Sequence, residues 1–201
     1  GLAGRFALAG DTVGIGSRGL DRAVEAARCI LVEVPEAKIF GGLNEDIARD
    51  AEVIFVTVPY SAQRKILLEL ESCLVGKIIV TVVAPVMFSK GVPKTVQVPE
   101  GSAALQAQKL LPKSDIVAAF QTVSSVVLLN LKSPVNSDVM VCGDDERAKE
   151  KVLALAEKID GVRAIDGGGL HEAGHVENFT ALLINVNLKY KTQSGIRITG
   201  V

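Results

Sequence analysis

Near the start of the chain, Gly16, Ser17, Arg18 and, one helical turn further on, Arg22 have the chemistry to hold a phosphate. The segment Thr12 to Gly16 before them reads as a strand, and Leu20 to Arg28 reads as a helix. In a dinucleotide-binding α/β sheet, an acid at the end of the second strand accepts the ribose 2′-hydroxyl of NAD and repels a 2′-phosphate. No acid stands here. A hydroxyl and two guanidinium groups stand in its place, and an arginine fork donates paired charge-assisted hydrogen bonds to phosphate oxygens. This reading makes Ser17, Arg18 and Arg22 selectors for NADP. The alternative for the arginines alone is that they are solvated charges at a helix start. The same stretch also spells Gly14-Ile15-Gly16-Ser17-Arg18-Gly19, a literal G-x-G-x-x-G pyrophosphate loop. Gly10, Asp11 and Thr12 make a poor buried strand ahead of such a loop, so the strand-end reading is preferred.

A second literal motif, His171-Glu172-Ala173-Gly174-His175, matches the H-E-x-x-H of zinc proteases, in which two histidines one turn apart bind the metal. Gly174 interrupts the helix, these are the only two histidines, and Glu177 faces away if the segment is helical. No metal site is expected. Two prolines mark strand ends: Pro59-Tyr60 follows Val53 to Val58, and Ala84-Pro85-Val86 follows Ile78 to Val83. Ligands of open α/β sheets bind at the carboxyl ends of the strands, and a proline there stops the strand and turns the chain across the cleft. Phe120 to Ser125, with Gln121 and Ser125, brings small polar groups to another such end. No Ser-His-Asp or Cys-His arrangement and no spaced carboxylate pair is found. That suits hydride transfer, in which the cofactors hold the reacting atoms and no side chain need be catalytic.

The elements that position these residues alternate. Apolar runs at Thr12 to Gly16, Ala37 to Gly41, Val53 to Val58, Ile78 to Val83 and Ile116 to Phe120 read as strands buried on both faces. Helical patterns at Glu45 to Ala51, Ser61 to Leu74 and Ser102 to Leu111 supply the crossovers of a parallel sheet. Asp138 to Cys142, Glu146 to Lys158 and Arg163 to Asp166 form a further strand, helix and strand. Gly167 to Gly169 reads as a flexible joint. Leu170 to Tyr190 then reads as one long helix with Leu182, Leu183, Val186 and Tyr190 on a common apolar stripe. The expected fold is α/β, a Rossmann-type doubly wound and mostly parallel sheet with a small C-terminal helical module. The nucleotide-binding domain is expected over 1–166 and the module over 167–201. Gly1 to Ala9 reads as a helix with no strand before it, so the first strand and the glycine loop are expected upstream of Gly1.

The 201 residues are 48% hydrophobic with a net charge of −1, enough to bury a full core. The balance of charge offers no broad basic field for nucleic acid, and no apolar run is long enough to span a membrane. The three cysteines, Cys29, Cys73 and Cys142, lack metal spacing and read as reduced core thiols of a cytoplasmic protein. The apolar stripe of the last helix exceeds what a small module can bury alone, and a homodimer is expected from it.

Several segments together are similar to one family: Gly16-Ser17-Arg18, Val56-Thr57-Val58-Pro59-Tyr60, Gly101-Ser102-Ala103-Ala104, Val141-Cys142-Gly143-Asp144-Asp145 and Ile159-Asp160-Gly161-Val162-Arg163. Their order and spacing over essentially the whole chain resemble the coenzyme F420-dependent NADP oxidoreductases, which pass hydride between a deazaflavin and NADP. The resemblance implies NADP and coenzyme F420 as small-molecule partners. It implies that Ser17, Arg18 and Arg22 contact the 2′-phosphate, and that Tyr60, Ala84, Val86, Ser125 and Ser194 line the nicotinamide and deazaflavin cleft. Gln121 stands where the family often has histidine, Ser124 where it often has proline, and Tyr60 where some members have tryptophan. The rival readings are an NADPH-dependent reductase of a flavin, ferric ion or imine, and a non-catalytic NADP sensor.

Overall fold

A computed structural model describes residues 1–89 and 91–201. The chain runs α1 (Leu2–Leu8), β1 (Val13–Ser17), α2 (Leu20–Glu33), β2 (Ile39–Leu43), α3 (Asn44–Asp50), β3 (Val53–Val56), α4 (Tyr60–Leu74), β4 (Ile78–Thr81), β5 (Val86–Ser89) and β6 (Val92–Thr95). It continues α5 (Ala103–Leu110), β7 (Asp115–Ala118), α6 (Ser125–Leu129), β8 (Ser137–Gly143), α7 (Glu146–Glu157), β9 (Val162–Asp166), a 3-10 turn (Leu170–Glu172) and α8 (Ala173–Tyr190).

β1 pairs in parallel with β2, and a five-stranded sheet has the order β3-β4-β7-β8-β9. β3, β4 and β7 are parallel, as helical crossovers require, whereas β8 pairs antiparallel with β7 and β9 runs parallel to β8. Only Val117 and Ala118 of β7 pair with β8, opposite Gly143 and Cys142, so the first half of β8 projects past the carboxyl end of β7. This overhang brings Ser137 and Asp138 to the end of the sheet where ligands bind. Among the described residues the two sheets share no backbone ladder. They are joined through α1, whose Phe6 ring meets Phe55 of β3 at 5.0 Å and Phe120 edge-on at 6.3 Å.

The glycines explain the local packing of β1 and β2. A Cβ on Gly41 would lie 2.2 Å from the Ala23 backbone, so α2 rests directly on β2. A Cβ on Gly14 would meet Ile47 at 2.9 Å and one on Gly16 would meet Asn44 Oδ1 at 2.9 Å, so α3 occupies the space those glycines leave. The literal G-x-G-x-x-G therefore opens inside a strand, and its first two glycines serve helix packing.

Three expectations change. Cys142 is buried, where desolvation pushes its thiol up to about 11, but Cys29 is exposed and is no core thiol. Gly167 to Gly169 form a hydrogen-bonded turn, with Gly167 N–H donating to Val141 O and Gly168 N–H to Asp166 Oδ1, so the joint is pinned. The expected stripe of α8 is divided, with Leu183 buried and Leu182 and Tyr190 exposed.

Candidate active site

β1 ends at Ser17, and Gly19 caps α2 in extended conformation with its N–H donating to Ser17 Oγ at 3.3 Å. A Cβ on Gly19 would meet nothing within 4 Å, so the start of the helix faces open space. Arg18 and Arg22 are exposed on either side of it. Neither pairs with a carboxylate among the described residues. Unpaired guanidinium groups beside a helix N-terminus form a site suited to a phosphate dianion.

A second locus lies at the carboxyl ends of β4 and β7. Phe120 takes a left-handed backbone (φ 70), which disfavours any residue but glycine. Its ring is buried against Phe6 and Phe55, and that packing offsets the backbone cost. The turn directs Gln121 back across the sheet, where its Nε2 donates to Thr81 O at 3.0 Å and its own carbonyl accepts from Thr180 Oγ1 at 3.0 Å. Gln121 is only 6% exposed, and its Oε1 is buried without a partner among the described residues. A buried acceptor left unpaired costs on the order of 1–3 kcal/mol.

Gln121 lies in the wall of a cavity of about 500 Å³, shared with Ser125, Thr180, Phe88, Lys191 and Ser194. A second cavity of about 420 Å³ adjoins it, and Ser124, Val126, Gln193 and Ser194 line both. Ser124 Oγ donates to Gln193 Oε1 at 2.5 Å, tying the start of α6 to the C-terminal tail. The site thus gathers Gln121, Ser125 and Ser194, three of the residues singled out from sequence.

Other expected residues sit elsewhere. Pro59 caps α4, and Tyr60 packs on the core beside α5 with its hydroxyl accepting from Gln106 Nε2 at 3.2 Å. Tyr60 is joined to Gln121 indirectly. Gln106 Oε1 accepts from Gln63 Nε2 at 3.4 Å, Gln63 Oε1 accepts from Thr81 Oγ1 at 3.2 Å, and Thr81 O accepts from Gln121. Nothing in the spacing of Gln63 and Gln106 reveals this buried chain. Ala84 and Pro85 lead from β4 into the hairpin of β5 and β6, which begins at Val86 and carries Phe88 to the cavity.

Two supports of the cavity are also absent from the sequence reading. Arg5 of α1 is buried and donates to the carbonyls of Leu128, Ser133, Val127 and Asn130 at 2.5–3.0 Å, clamping α6 and the loop after it. Asp138, wholly buried, receives Arg163 Nε at 3.0 Å, Arg163 Nη2 at 2.6 Å, Arg197 Nη1 at 2.8 Å and the Ile198 N–H at 2.6 Å. Its N–H donates to Ile196 O at 2.7 Å, so the tail lies along the overhanging half of β8. The arginine beside it holds the Asp138 carboxyl well below the usual carboxylate range. Between this latch and α8, Ser194 donates to Asn187 Oδ1 through N–H at 2.6 Å and hydroxyl at 2.7 Å.

The histidine motif has a packing explanation. His171 and His175 are exposed, and His171 Nε2 lies 2.9 Å from Glu172 Oε1. A Cβ on Gly174 would lie 3.1 Å from Gly101 O, so this glycine lets α8 approach the start of α5. There Glu177, 1% exposed, accepts from Ala103 N–H at 2.7 Å and Ala104 N–H at 3.0 Å. Burial outweighs those two bonds and pushes its carboxyl up from 4.5 to about 7. A folded-state value raised above the unfolded one contributes stability that is complete at low pH and is lost as pH rises through about 7. Unfolding free energy should fall by about 3 kcal/mol between acid and neutral pH through this group. Denaturant titrations of wild type and Glu177→Gln across that window test it: the slope should be absent in the variant, and an unchanged slope would assign it to another group.

The comparisons with known proteins agree in direction. The family described as NADP oxidoreductase, coenzyme F420-dependent, matches residues 1–85. The F420-dependent NADP reductase of Methanocaldococcus jannaschii is 41% identical over 194 residues, covering 93% of this chain and 87% of that protein. The enzyme of the same name from Methanothermobacter marburgensis is 39% identical, covering 100% of this chain and 93% of its own. Among solved structures, a putative F420-dependent NADP reductase from Arthrobacter sp. FB24 superposes with a TM-score of 0.83 at 24% identity, covering 98% of this chain and 93% of its own.

Proposed function

The chain belongs to the F420-dependent NADP oxidoreductase family, and from that premise we propose how its own residues divide the work. The enzyme transfers hydride between coenzyme F420 and NADP, the two rings supplying the chemistry when both are bound. Ser17, Arg18 and Arg22 hold the 2′-phosphate at the end of β1, which sets the choice of NADP over NAD. The nicotinamide and deazaflavin meet in the cavity beneath Gln121. The meeting of Gln121, Ser125, Thr180 and Ser194 in one cavity wall at the carboxyl ends of the strands is the observation that carries this placement.

The remaining residues orient. Ser125 and Ser194 line the cavity, Phe88 adds an apolar surface from the hairpin, and Thr180 fixes the Gln121 backbone. Pro59, Tyr60, Ala84, Pro85 and Val86 shape the strand ends beside it, with Tyr60 acting through the Gln106, Gln63 and Thr81 chain. No side chain needs to exchange a proton with the reacting carbon, so acceleration rests on proximity and exclusion of water. Residues 1–166 serve as the nucleotide-binding unit and 167–201 as the module that completes the deazaflavin wall.

No helix among the described residues is long and apolar enough to cross a membrane. We place the enzyme in the cytoplasm, where its free cysteines suit a reducing compartment. We also place it in a homodimer. Phe179, Leu182 and Tyr190 of α8 are exposed together with Met87, Phe88 and Val92 of the hairpin that packs on it, an apolar surface suited to a second copy. Light scattering should give twice the monomer mass, and Leu182→Glu should shift it to monomer; a monomeric wild type at micromolar concentration would overturn the dimer.

The function is tested by mixing protein, NADPH and oxidised F420 and following the deazaflavin absorbance. Bleaching dependent on NADPH, and far slower with NADH, is expected. Reduction of a flavin or ferric acceptor with no bleaching of F420 would overturn the assignment.

A further inference from the structure

We infer that Lys191 is the anchor for the anionic tail of the deazaflavin, a subsite that sets preference for the complete coenzyme over its bare chromophore; this rests on the function proposed above. Among the described residues that line the two adjoining cavities, Lys191 is the only charged one. The rest of the wall is apolar side chains, hydroxyls and amides. The deazaflavin ring is flat and aromatic, whereas its side chain carries a phosphodiester and glutamyl carboxylates. A cavity whose described lining residues include one cation is matched to that distribution: the ring lies against Gln121 and the anionic chain against the Lys191 ammonium.

The backbone supplies an independent reason. Lys191 ends α8 in the left-handed region, φ 52 and ψ 47, with its N–H donating to Asn187 O. The Thr192 N–H donates to the same carbonyl at 3.3 Å, closing the helix in the manner of a Schellman turn. Glycine is the residue suited to that position, because a side chain there crowds the backbone. A lysine held where glycine would fold more readily points to a task for its side chain. The conformation also fixes where the side chain emerges. The chain reverses at Lys191, and Thr192, Gln193 and Ser194 then line the cavity. No carboxylate of the described residues lies within ion-pairing distance of the Lys191 ammonium, so the charge is available to a ligand.

Lys191→Gly removes the charge while giving the turn the residue it favours. The variant should keep a melting temperature at or above that of wild type. Steady-state reduction is compared for F420 and for the chromophore lacking the phosphate and glutamyl tail, each with saturating NADPH. The ratio of kcat/KM for F420 to that for the chromophore should fall about tenfold in Lys191→Gly, and the rise of the F420 KM with added salt should flatten. Lys132→Ala, a surface lysine outside both cavities, should leave the ratio as in wild type. An unchanged ratio in Lys191→Gly, or equal losses on both substrates, would overturn the inference, the latter assigning Lys191 to the shape of the cavity. A wild-type protein that reduces neither substrate would instead overturn the function beneath it, and the inference with it.

Discussion

Replacing Arg18 and Arg22 together by alanine should raise the KM for NADP about 100-fold while leaving the KM for NAD within about twofold. Each guanidinium forms charge-assisted hydrogen bonds to the 2′-phosphate, worth about 1.5 kcal/mol apiece at an exposed site, and about 3 kcal/mol corresponds to roughly two decades of affinity. Both side chains are exposed and pair with no carboxylate among the described residues, so their removal exposes no buried partner and should not alter the melting temperature. kcat at saturating NADP should hold, because the phosphate is remote from the rings and contributes equally to ground and transition states. Steady-state kinetics with both dinucleotides decide the matter. Parallel losses for NAD and NADP would mean that the arginines support the fold of α2 and do not read the phosphate.

The second large effect is expected at Asp138, which acts through the tail and touches no substrate. Asp138→Ala strands Arg163 and Arg197 without a carboxylate and leaves the Ile198 N–H without its acceptor. Breaking such a buried ion pair by removing one partner costs about 3 kcal/mol, which for a chain of this size lowers the melting temperature by about 10 °C. The functional signature is more specific. With the tail released, Gln193 and Ser194 leave the cavity wall, so the KM for F420 should rise more than tenfold while the affinity for NADP, measured by equilibrium binding, stays unchanged. A chain ending at Ser194 should reproduce that split. Equal weakening of both substrates would show that Asp138 merely stabilises the sheet. The depressed carboxyl adds a pH dependence: its stability contribution is present above the ordinary carboxylate range and is lost as the solution is acidified through the folded-state value.

The parts of the fold that were legible are those governed by burial. Val53 to Val56 and Ile78 to Thr81 are short runs of β-branched and apolar residues, as a strand covered on both faces must be, and helices with apolar residues three and four apart flank them. The antiparallel entry of β8 was not legible, because the direction of a strand depends on how the chain arrives, and the segment from Asn130 to Asn136 carries no periodicity to reveal it. The hairpin of β5 and β6 was hidden for another reason. Pro85 and Pro93 argue against strands, and the hairpin tolerates Pro93 because it lies outside the main sheet.

The site divides along the same line. Ser17, Arg18 and Arg22 are neighbours in sequence, so their placement around the start of α2 is local and readable. Gln121 was found because it follows a strand, but its orphaned Oε1 depends on the left-handed turn at Phe120, which no propensity scale assigns to phenylalanine. The latch was unreadable since Asp138, Arg163 and Arg197 come from three separated segments. Asp138 looked like the polar first residue of a strand, and its burial appears only once the tail is laid beside it.

The central claim is direct hydride transfer between two rings held in one cavity. NADPH carrying deuterium at the transferred position, incubated with the enzyme and oxidised F420 in ordinary water, tests it by mass spectrometry of the reduced deazaflavin. The account predicts that the product retains the deuterium, and that unlabelled NADPH in heavy water yields no carbon-bound label. Loss of the deuterium to solvent, or its appearance from heavy water, would contradict it.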